Sequence, residues 1–135
     1  MKYSLLLTAI IVSISLSSFA QTKGKTTYRI VVSFQSECCG VPSDSTIRSF
    51  VKTFKKQYRI KKITAYHIGP MGREGEYYLA FKLNELTRKQ AANFIAKLKK
   101  IKKSGSDPGM LSFREAFEIT AEDIPQRATT EKISL

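Results

Sequence analysis

Two adjacent cysteines, Cys38 and Cys39, are the residues of this sequence best suited to chemistry. They lie between a β-branched stretch and a region of helical periodicity, so the positive end of a helix dipole favours a thiolate there. Neighbouring Cα atoms are about 3.8 Å apart, which is closer than the ordinary separation in a disulfide. Three reactive forms stay open: a strained vicinal disulfide, a soft-metal site and an intermolecular bridge. The alternative is a pair of inert thiols that are partly buried under the loop.

Other soft ligands could complete a metal site beside the cysteines. Sulfur ligands select Cu(I) over harder ions, and an imidazole is a common metal ligand. No cofactor is expected otherwise. The residues of this candidate thiol or soft-metal site are Cys38, Cys39, Met71, Met110 and His67.

Groups for acid–base catalysis are few. His67 is the only histidine, and no spacing places a nucleophile beside it. Glu74 and Glu76 flank Gly75 and form a conceivable carboxylate pair, but plain surface acids are the commoner meaning of such a turn. The sequence therefore predicts a protein that is not an enzyme.

A basic stripe repeats at helical spacing in two parts of the chain, each opposite an apolar stripe. Such a surface favours diffuse contact with lipid headgroups or polysaccharide, and a solvated lysine-rich face is the plainer alternative. Nucleic acid is disfavoured because the stripe lacks interleaved aromatic side chains. The residues predicted to bind polyanions are Arg48, Lys52, Lys55, Lys56, Arg59, Lys89, Lys100 and Lys103.

The first twenty residues have the pattern of a cleavable secretory signal. Lys2 precedes the apolar run 5–16, and small residues stand at Ser18 and Ala20 before a cut at Gln21. The run is too short to span a bilayer, which needs about 20 residues. The sequence thus predicts a soluble protein exported to the periplasm or the extracellular space. The remaining 115 residues carry a net charge of +11, because the signal removes one lysine and no acid from the total of +12.

The periodicities predict one α+β domain over residues 21–120 and a polar, flexible tail over 121–135. Strands are expected at 28–35, 61–69, 76–83 and 111–120, with helices from 43 or 44 to about 58 and from 87 to a stop at Gly105. This βαββαβ order predicts a ferredoxin-like fold, a four-stranded antiparallel sheet of order 4-1-3-2 with both helices on one face. Leu111, Phe113, Phe117 and Ile119 are expected in phase, and Glu115 among them predicts a bulge or an edge position.

In that topology the cysteine loop, the 69–75 hairpin and the loop after the second helix share one end of the domain. The opposite sheet face, with Arg29, Val31 and Tyr78 among its residues, is half apolar. Such a face supports a homodimer or is covered by a terminal segment.

Residues 28–120 resemble the small heavy-metal-associated domains in the order of their elements and in the loop that carries the thiols. In that family two cysteines are separated by two residues, whereas Cys38 and Cys39 are adjacent and follow Ser36 and Glu37. Neighbouring thiols do not readily grip one Cu(I) in that family's near-linear way, so its function is not carried over. The sequence thus predicts an exported, non-enzymatic binding or interaction module with an anionic surface or a protein as partner. Thiol chemistry is the alternative.

Overall fold

The computed structural model describes residues 24–135, so the predicted signal 1–20 lies outside the described residues. Over these residues the chain forms two helices and one antiparallel sheet, an α+β architecture. Among the described residues no helix is long and apolar enough to cross a membrane. The elements are β1 (Thr26–Gln35), α1 (Ser45–Tyr58), β2 (Thr64–Gly69), β3 (Tyr77–Phe81), α2 (Arg88–Leu98), β4 (Met110–Ile119) and β5 (Thr129–Ser134).

The sheet has the order β4-β1-β3-β2-β5. The prediction of four strands is therefore wrong, because part of the expected tail adds a fifth strand along the outer edge of β2. Thr129 pairs with Gly69 and Ser134 with Thr64, which gives partners to backbone groups that an open edge would leave unpaired. Ile133 packs against the main core, so the added strand is held by side chains as well as by its ladder.

The main core lies between the helices and one face of the sheet. Ile47, Val51 and Phe54 are buried on α1 at spacings of four and three residues, as an amphipathic helix requires. Phe94 of α2 is fully buried and contacts Phe54 edge to face, with ring centroids 5.1 Å apart. Both helices therefore cover the same face, as the topology predicts.

Three of the four helix ends lie where the sequence predicts them, including the end of α1 at Tyr58, and only the end of α2 differs. The capping box of Thr87 and Gln90 begins α2 as predicted. Asp44 is the N-cap residue of α1, but its side chain makes no capping bond and instead accepts a hydrogen bond from Nε of Arg48 at 2.8 Å. The predicted stop of α2 at Gly105 is wrong: the helix ends at Leu98, and the next turn leads Ile101 onto the core.

Side chains of β1 and β4 change sheet face near Ala116. Leu111 and Phe113 pack against the helix-side core, whereas Phe117 packs against a second cluster on the opposite face. Ala116 has a positive φ of 47°, and the Ala116–Arg29 rung is missing from an otherwise continuous ladder. The prediction that the apolar residues of β4 share one phase is wrong. The predicted edge position of Glu115 is confirmed, because β4 is an outermost strand.

The opposite face carries a second, smaller cluster whose buried members are Tyr28, Val31, Ile68, Ala80 and Ile119. Because β4 and β5 lie at opposite edges of the sheet, the connection 120–128 between them must pass across the molecule. Its Ile124 packs against this cluster. The connection therefore covers part of the face that the sequence left open.

Candidate functional site

The cysteine pair lies in the connection from β1 to α1. Cys38 and Cys39 are joined as a vicinal disulfide with Cα atoms 3.8 Å apart. Both residues are exposed. The pair is therefore accessible to a partner from solution.

The loop that carries the cysteines is packed against the loop before β4. The Ser43 amide donates to Oδ2 of Asp107 at 3.1 Å. Gly109 has a φ of +71°, and a Cβ placed there would lie 2.1 Å from the carbonyl oxygen of Gln35. Only glycine fits this contact, so the two loops hold the disulfide at a defined place on the end of the domain.

The two methionines of the candidate metal site meet, but the histidine lies elsewhere. Met71 and Met110 line one cavity of about 360 Å³, together with Ser36 and Glu76, and the cysteines are not among its lining residues. His67 instead packs its ring against Tyr77 at 4.7 Å on the helix side of the sheet. The structure therefore gathers part of the set, and residues 24–135 contain no group of three or more His, Cys, Asp or Glu side chains able to hold a metal.

Tyr77 joins this end of the domain to α1. Its ring stacks on Phe34 with centroids 4.3 Å apart. Burial raises the pKa of the Tyr77 hydroxyl, and the negative charge of Asp44 raises it further, while the Arg48 guanidinium acts in the opposite direction. The phenol is thus held neutral well above its usual range.

Glu74 and Glu76 serve the geometry of the β2–β3 turn. Oε2 of Glu76 accepts a hydrogen bond from the Glu74 amide at 3.1 Å, and the Met71 amide donates to the Glu76 carbonyl oxygen at 2.5 Å. The carboxylate also lies against Gly72, where it occupies the space that a Cβ would need. Hydrogen bonds within the turn account for the Glu76 side chain.

The residues predicted to bind polyanions divide into two groups. Three have partners: Arg48 pairs with Asp44, Lys55 Nζ donates to the Leu135 carbonyl oxygen, and Lys103 Nζ donates to that of Asp107. The side chains of the others are exposed and have no hydrogen bond or ion pair within residues 24–135: Lys52, Lys56, Arg59, Lys89 and Lys100.

Charge is segregated along the chain and in the fold. Residues 45–62 and 88–106, which contain the two helices, hold fourteen lysines and arginines and none of the eleven acidic residues. All of the acids lie in the strands and loops. The helix layer is therefore a surface of one sign, and attraction between it and a polyanion has little internal competition.

Sequence reasoning missed Arg29 and Arg88, which meet on one cavity beside α2 with Glu115. Arg29 was expected on the opposite sheet face and lies beside α2 because the strands change phase at Ala116. Glu115 on an apolar face was the one signal of this irregularity. Arg88 stands at the first position of α2, outside the regular basic stripe.

No family model, curated protein or solved structure matches this chain. Its function must therefore be inferred from the placement of its own side chains.

Proposed function

We propose that this protein is an exported, non-enzymatic binding domain whose helix layer attaches to an extended anionic surface, either lipid headgroups or polysaccharide. The observation that carries the proposal is the absence of acidic residues from segments 45–62 and 88–106 beside their dense positive charge. Lys52 and Lys56 exemplify the exposed cations without partners on α1. Several such charges on one face attract a polyanion more than net charge alone would suggest.

Binding of this kind depends strongly on salt. The Debye length is about 10 Å at 0.1 M salt and about 3 Å at 1 M salt, so exposed cations lose most of their reach over that range. We expect binding to heparin, or to vesicles that contain an anionic lipid, at 0.1 M salt and its loss at 1 M.

A charge-reversed pair on α1 tests the location of the surface. Lys52→Glu/Lys56→Glu should weaken binding strongly at 0.1 M salt. Arg73→Glu/Arg127→Glu changes the net charge equally, but at exposed arginines outside the helix layer, and should weaken binding much less. Equal losses in the two double variants, or a parent that does not bind at 0.1 M salt, would refute the proposal.

The fold that best accounts for this layer is ferredoxin-like with an added edge strand. The order of β1 to β4 and the shared side of the helices support this assignment. Export is proposed from residues 1–20 and predicts a mature chain that begins at Gln21. N-terminal sequencing of exported material checks it, and a product that retains Met1 would contradict it.

Thiol chemistry is the second candidate, favoured by the exposure of the disulfide of Cys38 and Cys39. A dithiol partner would reduce it, with two thiols of the partner oxidised to a disulfide and both protons passing to the protein cysteines. The reduced pair would then be available to a soft metal such as Cu(I), with Met71 and Met110 nearby.

A thiol count before and after reduction, with Cu(I) titration of the reduced protein, tests this candidate. We expect two thiols to appear on reduction and metal uptake to vanish in Cys38→Ser/Cys39→Ser. A reduced parent that takes up no Cu(I), and a native disulfide that does not react with a small dithiol, would remove it.

A further inference from the structure

A groove runs beside α2 at the edge of the sheet. It consists of two adjoining cavities of about 610 and 530 Å³, which share Arg29, Ile95 and Glu115 as lining residues. One cavity extends along α2, and the other extends over the first residues of β1. Neither belongs to the end of the domain that carries the disulfide.

The groove exists because β1 and β4 break their regular pairing. The missing Ala116–Arg29 rung and the positive φ of Ala116 turn the strands at this point. As a result Arg29 lines the groove under α2, while Tyr28 packs into the opposite cluster. Few non-glycine residues adopt this backbone region, and those that do occur preferentially at functional sites.

Most of the charged side chains that line the groove are cationic, and three of them have no ion-pair or cation–π partner among residues 24–135. Within residues 24–135 the side chains of Arg29, Arg88 and Lys100 have no hydrogen bond or ion pair. The only acid lining either cavity is Glu115, and Lys99 pairs with it across the groove wall. Two further cations line the groove, but Lys25 pairs with Glu118 and Lys82 lies over the Tyr28 ring. The other three, Arg29, Arg88 and Lys100, therefore remain for an anionic ligand.

The side chains that line the groove favour one class of anionic ligand. Ala92, Ile95 and Ala96 give an apolar strip on α2 between the cations. At the other end Lys82 Nζ lies 5.7 Å from the centroid of the Tyr28 ring, so that ring does not offer a free face to a nucleic-acid base. An open groove in which apolar and cationic contacts alternate suits a chain of sugar rings that carries charged groups.

We propose that this groove binds a linear acidic oligosaccharide, with its carboxylate or sulfate groups on Arg29, Arg88 and Lys100. The inference rests on the proposed function and adds a site and a ligand class to it. Charge-assisted hydrogen bonds from the two guanidinium groups would set the register of the chain. The helix layer would then supply long-range attraction, and the groove would supply the contact.

A heparin-derived hexasaccharide is a suitable probe, measured by calorimetry at 0.1 M salt. Arg29→Glu/Arg88→Glu should weaken its binding by at least about tenfold, since it removes two charge-assisted donors and adds two carboxylates that repel the ligand. The matched control is Arg73→Glu/Arg127→Glu, which has the same net charge but lies outside both the groove and the helix layer, and should lose less than about threefold. Glu115→Gln removes the acid and frees Lys99, so it should bind more tightly than the parent.

The possible outcomes separate this inference from the proposed function. Equal losses of hexasaccharide binding in Arg29→Glu/Arg88→Glu and in Arg73→Glu/Arg127→Glu, or no gain from Glu115→Gln, would overturn the groove. Binding to anionic vesicles without hexasaccharide binding would likewise overturn the groove. The helix layer is tested separately, by the binding of Lys52→Glu/Lys56→Glu to anionic vesicles. A parent that binds neither probe would refute both. If Arg29→Glu/Arg88→Glu does not fold, the single variant Arg88→Glu tests the groove instead. Arg88→Glu should fold, because an acid in the first turn of a helix interacts favourably with the helix dipole.

Discussion

The two faces of the sheet differ in the side chains that they bury and in the surface that covers them. The helix-covered face buries large aromatic side chains such as Phe54 and Phe94 and presents an acid-free layer of lysines and arginines outward. The opposite face buries a smaller cluster under the connection 120–128, which includes Glu122 and Asp123. One face therefore combines most of the core with the candidate binding surface, while the other closes the fold. Changes on the helix side should affect stability when they are buried and binding when they are exposed.

The largest expected effect is on the core of the helix side. Phe94→Ala removes a fully buried ring that contacts Phe50, Phe54 and Phe81. The free energy of unfolding should fall by about 3–5 kcal/mol, measured by denaturant titration. Lys89→Ala on the same helix is exposed and should stay within about 0.5 kcal/mol of the parent. A small loss of stability for Phe94→Ala would mean that the principal core does not lie between the helices and the sheet.

A smaller effect is expected on the opposite face. Ile124→Ala shortens the half-buried side chain by which the connection packs on the second cluster. We expect a loss of about 1–2 kcal/mol, below the range of about 2–5 kcal/mol for a fully buried Ile→Ala. Sedimentation of the parent and the variant should also be compared, because a homodimer through this face was one of the two alternatives that the sequence left open. An unchanged stability would show that the connection does not close the face.

Alkaline pH should lower the stability of the fold, because each face of the sheet buries a tyrosine hydroxyl. Burial raises the pKa of Tyr77 on the helix side and of Tyr28 on the opposite face. Above the unfolded value of about 10, the unfolded chain loses these protons while the folded chain keeps them, so stability falls as pH rises through that window. Tyr77→Phe and Tyr28→Phe should each reduce the loss between pH 9 and pH 11, both values being about one unit either side of the unfolded pKa. Identical pH profiles for the parent and both variants would contradict this assignment.

The smallest effect concerns the start of the connection across the opposite face. Hydrogen bonds from the amide and the hydroxyl of Thr120, at 2.7 and 2.8 Å, lower the pKa of Asp123. Their contribution to stability is present above the unfolded pKa of about 3.9 and is lost as pH falls through the folded value. Thr120→Val removes the hydroxyl and should raise the pKa of Asp123 in an NMR titration. An unchanged titration would show that the backbone amide alone holds the carboxylate.

The sequence predicted the elements whose patterns are local. The capping box at Thr87 and the apolar stripe of α1 each lie within one element, and both are present as expected. The strand β5 was missed because an edge strand with the sequence TTEKIS buries little and shows no apolar alternation. The early end of α2 was missed because packing of Ile101 on the core, a tertiary contact, decides where the chain turns.

The candidate sites were predicted only in part, because some of their residues depend on how separate elements meet. The topology implies the meeting of Met71 with Met110, since it depends only on which loops share an end of the sheet. The position of Arg29 depends on the backbone turn at Ala116, for which alanine carries no local signal. Periodicity alone therefore places the basic helix surface but cannot place the groove beside it.

The break at Ala116 also bears on how the protein behaves among its own copies. An uninterrupted outer strand is a template on which another chain can add a strand and begin aggregation. On β4 the left-handed residue stands beside the charged Arg114 and Glu115, which interrupts that template near its middle. The other edge strand, β5, is only six residues long and carries Glu131 and Lys132 at its centre. Both margins of the sheet thus discourage strand addition between copies, as the proposed gathering of many copies on one polyanion would require.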